Sequence, residues 1–111
     1  MGALYAAVAA VDPRIEKVDG QVYYSGAAKT IDVVVLISGD EPVSTDALTA
    51  MLVAIRDNTS DVIETATIIA RDAEDDDKIV DLSPAIAGLP NDITPLWDGG
   101  LTLSRVDLDK L

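Results

Sequence analysis

The 111-residue chain contains no cysteine and no histidine. Without cysteine there is no disulfide, thiolate metal site or thiol nucleophile. Without histidine the commonest general base and metal ligand is missing. A serine nucleophile would then need a lysine base, and no Ser-x-x-Lys spacing occurs. Neither glycine-rich phosphate-binding pattern, G-x-x-x-x-G-K-[ST] or G-x-G-x-x-G, is present. Basic residues are scarce: eight Lys+Arg stand against twenty Asp+Glu, a net charge of −12. A nucleic-acid surface needs a basic stripe to neutralise phosphates, and an anionic membrane needs the same, so neither is an expected partner. Long apolar runs are also missing; no stretch of about 18 uncharged apolar residues could form a membrane span. The start, Met1-Gly2-Ala3-Leu4-Tyr5-Ala6, lacks the charged head of a signal peptide and the Ser or Thr of a myristoylation site.

What remains is a chain that folds. Hydrophobic residues make up 49% of it, enough to offset the entropy of ordering. A single domain of this mass is expected to expose about 5,900 Å² of surface, enclosing one core and not two. Aspartate outnumbers glutamate sixteen to four, a bias that suits caps and turns more than helix interiors. The surplus is concentrated. Asp61, Glu64, Asp72, Glu74, Asp75, Asp76, Asp77 and Asp81 face only Arg71 and Lys78, so half of the −12 falls in residues 61–81. Net charge of this kind favours solubility, and a high-salt habitat selects the same surface.

Leu4, Ala7, Val8 and Val11 follow helical spacing and predict a short helix over 3–11, stopped by Asp12-Pro13. Strands are expected at 14–24 and 29–38, joined through Ser25-Gly26. The run Val33–Ile37 is apolar at every position, as in a strand buried on both faces. Ser44 is a natural N-cap, with Asp46 in the first turn and Val43 and Leu48 at the spacing of a hydrophobic staple. Leu48, Met51, Leu52 and Ile55 then form one stripe, and Asn58-Thr59-Ser60, although a glycosylation pattern, reads as the helix end. Further strands are expected at 62–72, 78–82 and 101–106, with one helical turn at Ser83-Pro84, a stop at Gly88 and a loop over 89–100.

This order predicts an α+β fold, an antiparallel sheet with two helices packed on one face. It resembles a ferredoxin-like fold that has lost its first, central strand, with Leu101–Val106 filling the gap as in a permuted chain, or another subunit filling it. The segments VDPRIEKVDGQVYY, TIDVVVLISGD, STDALTAMLVAI, IETATIIARDA and IVDLSPAIAGL are together similar to small exported or lipoprotein domains of actinobacteria. That resemblance implies an exported protein and brings no catalytic residue; the lipobox cysteine of such proteins is absent.

The acidic run Asp72, Glu74, Asp75, Asp76 and Asp77 is the one concentrated feature, and clustered carboxylates suit a hard cation. Counted from Asp72, however, the EF-hand positions for Gly and Glu hold Asp77 and Ser83. A solvated hairpin tip is the plainer expectation, and no metal or cofactor is predicted. Asp32 and Glu64 are the acids embedded in apolar strands and form a catalytic pair only if their strands bring them together. Trp97, beside Leu96 in a Pro/Gly-rich loop, is either a lid on the sheet or an anchor for a partner. Tyr23 and Tyr24 point to opposite faces of a strand, so one of them lies outside the core. The expected function is a non-catalytic protein-interaction or accessory domain, binding through a sheet edge or the Trp97 loop, with Tyr24 and Trp97 as contacts. The alternative is an acidic inhibitor or immunity-type protein covering a basic site, and the third reading is a small cation binder or carboxylate enzyme. The partner is another protein, a second copy of the chain among the candidates.

Overall fold

The computed structural model describes residues 2–60 and 62–111; the expectation that includes Asp61, and those at Met1, lie outside the described residues. Helix α1 (Gly2–Ala9) buries Leu4 and Val8 of the expected stripe; Ala7 is half-buried, and Val11 lies past the end of the helix. Strands β1 (Ile15–Ser25) and β2 (Ala28–Ile37) form a hairpin in which Ser25 pairs with Ala28. Gly26 takes φ 65, a left-handed turn conformation that costs glycine little. Helix α2 (Thr45–Asp57) begins at Ser44, whose side chain accepts from the Ala47 N–H, and it buries Leu48, Met51, Leu52 and Ile55. Val43 and Leu48, the two staple residues, are both in the core.

Strand β3 (Thr65–Asp72) is followed by α3 (Ser83–Ile86), β4 (Leu96–Trp97), β5 (Leu101–Ser104) and α4 (Arg105–Leu108). The sheet order is β1-β2-β3-β5-β4. The fold is α+β, with the helices gathered over one face, and its surface of 5860 Å² matches the area expected of a single core. The sheet is mixed: β2 and β3 pair in parallel across the α2 crossover, and the other pairings are antiparallel. Direct β2–β3 pairing leaves no central gap. The C-terminal strand therefore lies outside β3, between β3 and the two-residue β4, where it remains interior.

Three local expectations are corrected. Residues 78–82 form no strand; one bridge, Arg71 to Ile79, stands there. The ladder stops because Asp81 Oδ1 accepts from both the Ser83 N–H (2.9 Å) and the Ser83 hydroxyl (2.7 Å), turning the chain into α3. Helix α3 is entered from Leu82, with Pro84 in its first turn. At the C-terminus the strand ends at Ser104, whose hydroxyl accepts from the Asp107 N–H and caps α4. Within the expected loop 89–100, Leu96 and Trp97 pair with Thr102 and Leu101, and Gly99, at φ 96, turns the chain into β5.

Val33–Ile37 is not buried on both faces. Ile31, Val33, Val35 and Ile37 face the helices and are buried, whereas Val34 and Leu36 are half-buried on the other side. An apolar run showed that β2 is an interior strand; it could not show that a second layer was absent.

Candidate functional site

The loop after β3 holds the acidic run. Asp72 Oδ1 accepts from the Glu74 N–H at 2.8 Å and Asp75 Oδ1 from the Asp77 N–H at 3.3 Å, while Arg71 donates to the Asp76 carbonyl at 3.0 Å. These side-chain-to-backbone turns explain why aspartate rather than glutamate fills the loop. Carboxylate oxygens of Asp75, Asp76 and Asp77 come within 4.8 Å of one another, all three residues being exposed. Because all three residues are exposed, water screens their charges from one another. Asp81, just beyond, is held below the usual carboxylate range by its hydrogen bonds from the Ser83 hydroxyl and backbone N–H.

Asp32 and Glu64 are not brought together. Asp32 pairs with Thr67 across β2–β3, and Glu64 lies three residues earlier, roughly 10 Å along the strand direction. The Glu64 backbone is occupied: its N–H donates to the Lys29 carbonyl at 2.9 Å and its carbonyl accepts from the Arg105 N–H at 2.7 Å. Asp32 instead accepts from the Tyr23 hydroxyl at 3.3 Å. The negative charge of Asp32, then burial and that hydrogen bond, raise Tyr23 above the usual tyrosine range.

Register arranges the open face of the sheet in rows. Lys17, Leu36 and Arg71 form one, Asp19, Val34 and Ile69 the next, then Gln21, Asp32, Thr67 and Thr102. A shallow concavity of about 380 Å³ lies over the first two, lined by Lys17, Asp19, Val34, Leu36, Arg71, Asp76 and Asp77. It holds charges of both signs, with Val34 and Leu36 between them.

Trp97 is half-buried and packed against the core. The neighbouring Leu96 is 63% exposed on the edge strand β4. Tyr24 is 69% exposed, and Tyr23 and Val22 are each 38% exposed. Both tyrosines therefore lie outside the core, where one was expected.

The other edge is β1, eleven residues long; among the described residues no strand pairs with its outer side. Its first half is guarded. The register shifts between Ile15 and Lys17, a bulge at Glu16, and charges stand at Glu16, Lys17 and Asp19. In a two-residue hairpin the pair flanking the loop bonds inward, so Val18, Gly20, Val22 and Tyr24 present their backbone groups outward. Gly20 is capped: its N–H donates to Asp19 Oδ1 at 2.9 Å and its carbonyl accepts from the Tyr5 hydroxyl at 3.2 Å. A Cβ there would lie 3.1 Å from the Tyr5 ring, so the close approach depends on glycine.

Past Gly20 the strand is charge-free and open, and it borders a groove of about 160 Å³ lined by Val22, Lys29, Ile31, Asn58, Thr59, Ser60, Val62 and Ile63. Thr59 and Ser60 of this lining are held through their carbonyls by Arg105, which also donates to the Arg56 carbonyl. Val22, Val62 and Lys29 were missed from sequence as site residues. The available signal was the contrast between charged Glu16–Asp19 and uncharged Gly20–Ser25 within one strand. No protein-family model, curated protein or solved structure matches this chain.

Proposed function

We propose that this chain is a non-catalytic protein-binding domain whose docking element is the open end of β1, residues Gln21–Ser25, with the groove beside it. The observation that carries this reading is the asymmetry within one edge strand. Bulge, charges and the Tyr5–Gly20 contact guard its first half, while Val22 and Tyr24 expose both side chains and outward backbone groups. An unguarded edge accepts an added strand, its backbone bonds giving affinity and a flanking groove selecting a side chain. Val62, 56% exposed at the groove, extends the apolar contact. The test is capture of partners from the host by the wild-type protein and by Val22→Lys and Tyr24→Lys variants of unchanged melting temperature. Both substitutions should deplete the same bound proteins. Undiminished capture by both would sink the edge as the docking element.

A second reading has its own observation. Among the described residues only Arg56–Asp57 and Asp107–Lys110 form ion pairs, while all four arginines bond to backbone carbonyls. The negative surface is thus largely uncompensated, as in an acidic inhibitor that covers a basic site. Salt separates the two: an acidic–basic association weakens steeply with ionic strength, and an apolar strand addition does not.

A further inference from the structure

We propose that the open end of β1 pairs antiparallel with the same segment of a second copy of this chain, about a two-fold axis through Tyr23. This rests on the reading of that edge as a docking element. Val22 and Tyr24 are the outward-facing residues left beyond the capped Gly20, and they flank Tyr23 symmetrically. An axis through Tyr23 sets Val22 of each copy opposite Tyr24 of the other, so the uncapped backbone groups of one copy meet those of the other. No bond at Gly20 has to be given up. The two-fold sets Gln21 opposite Ser25, and the helical layers of both copies stay on one side of the extended sheet.

Side chains fit the same register. Val22 against Tyr24 is a β-branched–aromatic cross-strand pair, made twice, and such pairs stabilise sheets. Tyr23 meets its own counterpart on the open face while its hydroxyl stays on Asp32. Net charge opposes a second copy, but least at this place. Gly20–Ser25 carries no charge, so no like charges face each other across the axis. The acidic loop stands at the far end of the strands: Asp72 pairs with Ile37, whereas Tyr23 and Tyr24 pair with Thr30 and Lys29. Roughly 20 Å of strand separates them, beyond the Debye length of about 8 Å at physiological salt. An axis at Val18 would use the guarded half and leave Val22 and Tyr24 unpaired.

Sedimentation equilibrium up to about 1 mM protein tests this, since a contact this small belongs with weak, transient associations. The wild-type protein should dimerise reversibly, and more strongly at about 0.5 M than at about 0.05 M salt, because each chain's −12 charge repels the other's until screened. Tyr23→Lys and Tyr23→Glu place like charges directly across the axis. Each variant alone should associate at least about tenfold more weakly than wild type, and an equimolar mixture should recover the dimer. Melting temperatures taken alongside show that each variant is folded. A wild-type protein that stays monomeric at the highest concentration and salt overturns the second copy as occupant. So does a dimer that both Tyr23 variants leave unweakened, or a mixture that recovers nothing. If the chain is monomeric yet Val22→Lys and Tyr24→Lys still lose captured partners, the edge remains a docking element and only the choice of occupant fails.

Discussion

The two faces of this sheet are made by the same strands, residue by residue in alternation, and they do opposite things. On one, Ile31, Val33, Val35, Ile37, Ala66, Ile68, Ala70, Leu101 and Leu103 lie at or below 3% exposure beneath the helices. On the other, Lys17, Asp19, Asp32, Thr67 and Arg71 stand among half-buried Val34, Leu36 and Ile69. The covered face carries the stability. The open face carries the polar groups, which register spreads in rows, and it holds Asp32 apart from Glu64.

The largest expected effect comes from removing part of the covered face. A chain ending at Asp98 loses buried Leu101, Leu103 and Leu108, and with Asp107 the acceptor for the Thr94 N–H at 2.9 Å. Each buried leucine is worth ~2–5 kcal/mol against a total of about 5–15 kcal/mol. The shortened protein should lose its sharp amide spectrum and its cooperative melt; a cooperative transition close to wild type would remove β5 from the core.

Next in size is a matched pair of truncations, one on each layer. Leu52→Ala, at 0% exposure in the centre of α2, should cost ~2–5 kcal/mol. Val34→Ala on the open face should cost about 1 kcal/mol or less. Denaturant midpoints measure both. Equal losses would mean that something covers the open face in solution.

Smaller effects come from the titrating groups at the two ends of the sheet. Tyr23 is raised by Asp32, so what it contributes is fully present below the ordinary tyrosine range and is lost as pH rises through its elevated folded value. Asp81 is lowered by Ser83; its contribution is present above the ordinary aspartate range and disappears as pH falls through its depressed value. Asp32→Asn should bring the Tyr23 phenolate transition, read by absorbance, to lower pH. Ser83→Ala should raise the Asp81 carboxyl titration followed by NMR. An unmoved midpoint in either variant refutes that pairing.

The smallest expected effect is that of added calcium. Stabilisation by a ligand scales as RT ln(1 + [L]/Kd), so exposed carboxylates of low affinity give almost none at about 1 mM. The melting temperature should stay within about 1 °C. A rise of ~5 °C or more that vanishes on changing Asp75, Asp76 and Asp77 to Asn would turn the acidic loop into a binding site.

Much of the fold was legible wherever the cause is local. Ser44, Val43, Leu48 and the stripe to Ile55 define α2 through capping and 3.6-residue periodicity, both properties of neighbours in sequence. Pro13, Gly26 and Gly99 punctuate the chain through their own backbone preferences. Absences are equally local, and the lack of Cys and His closed whole chemistries at once. Strand partners are a different matter. Whether β3 pairs directly with β2, or leaves room for the C-terminal strand, depends on packing over residues far apart, and an alternating pattern is the same in either arrangement. The sheet order was therefore settled only in three dimensions, and so was the separation of Asp32 from Glu64. The site shows the same division. Sequence determined that Gly20–Ser25 is uncharged and β-prone. Only the tertiary structure decided that this segment lies on an edge, that Tyr5 caps it at Gly20, and that Val62 flanks a groove beside it. An edge is defined by the strand that is not there, and no residue encodes that by itself.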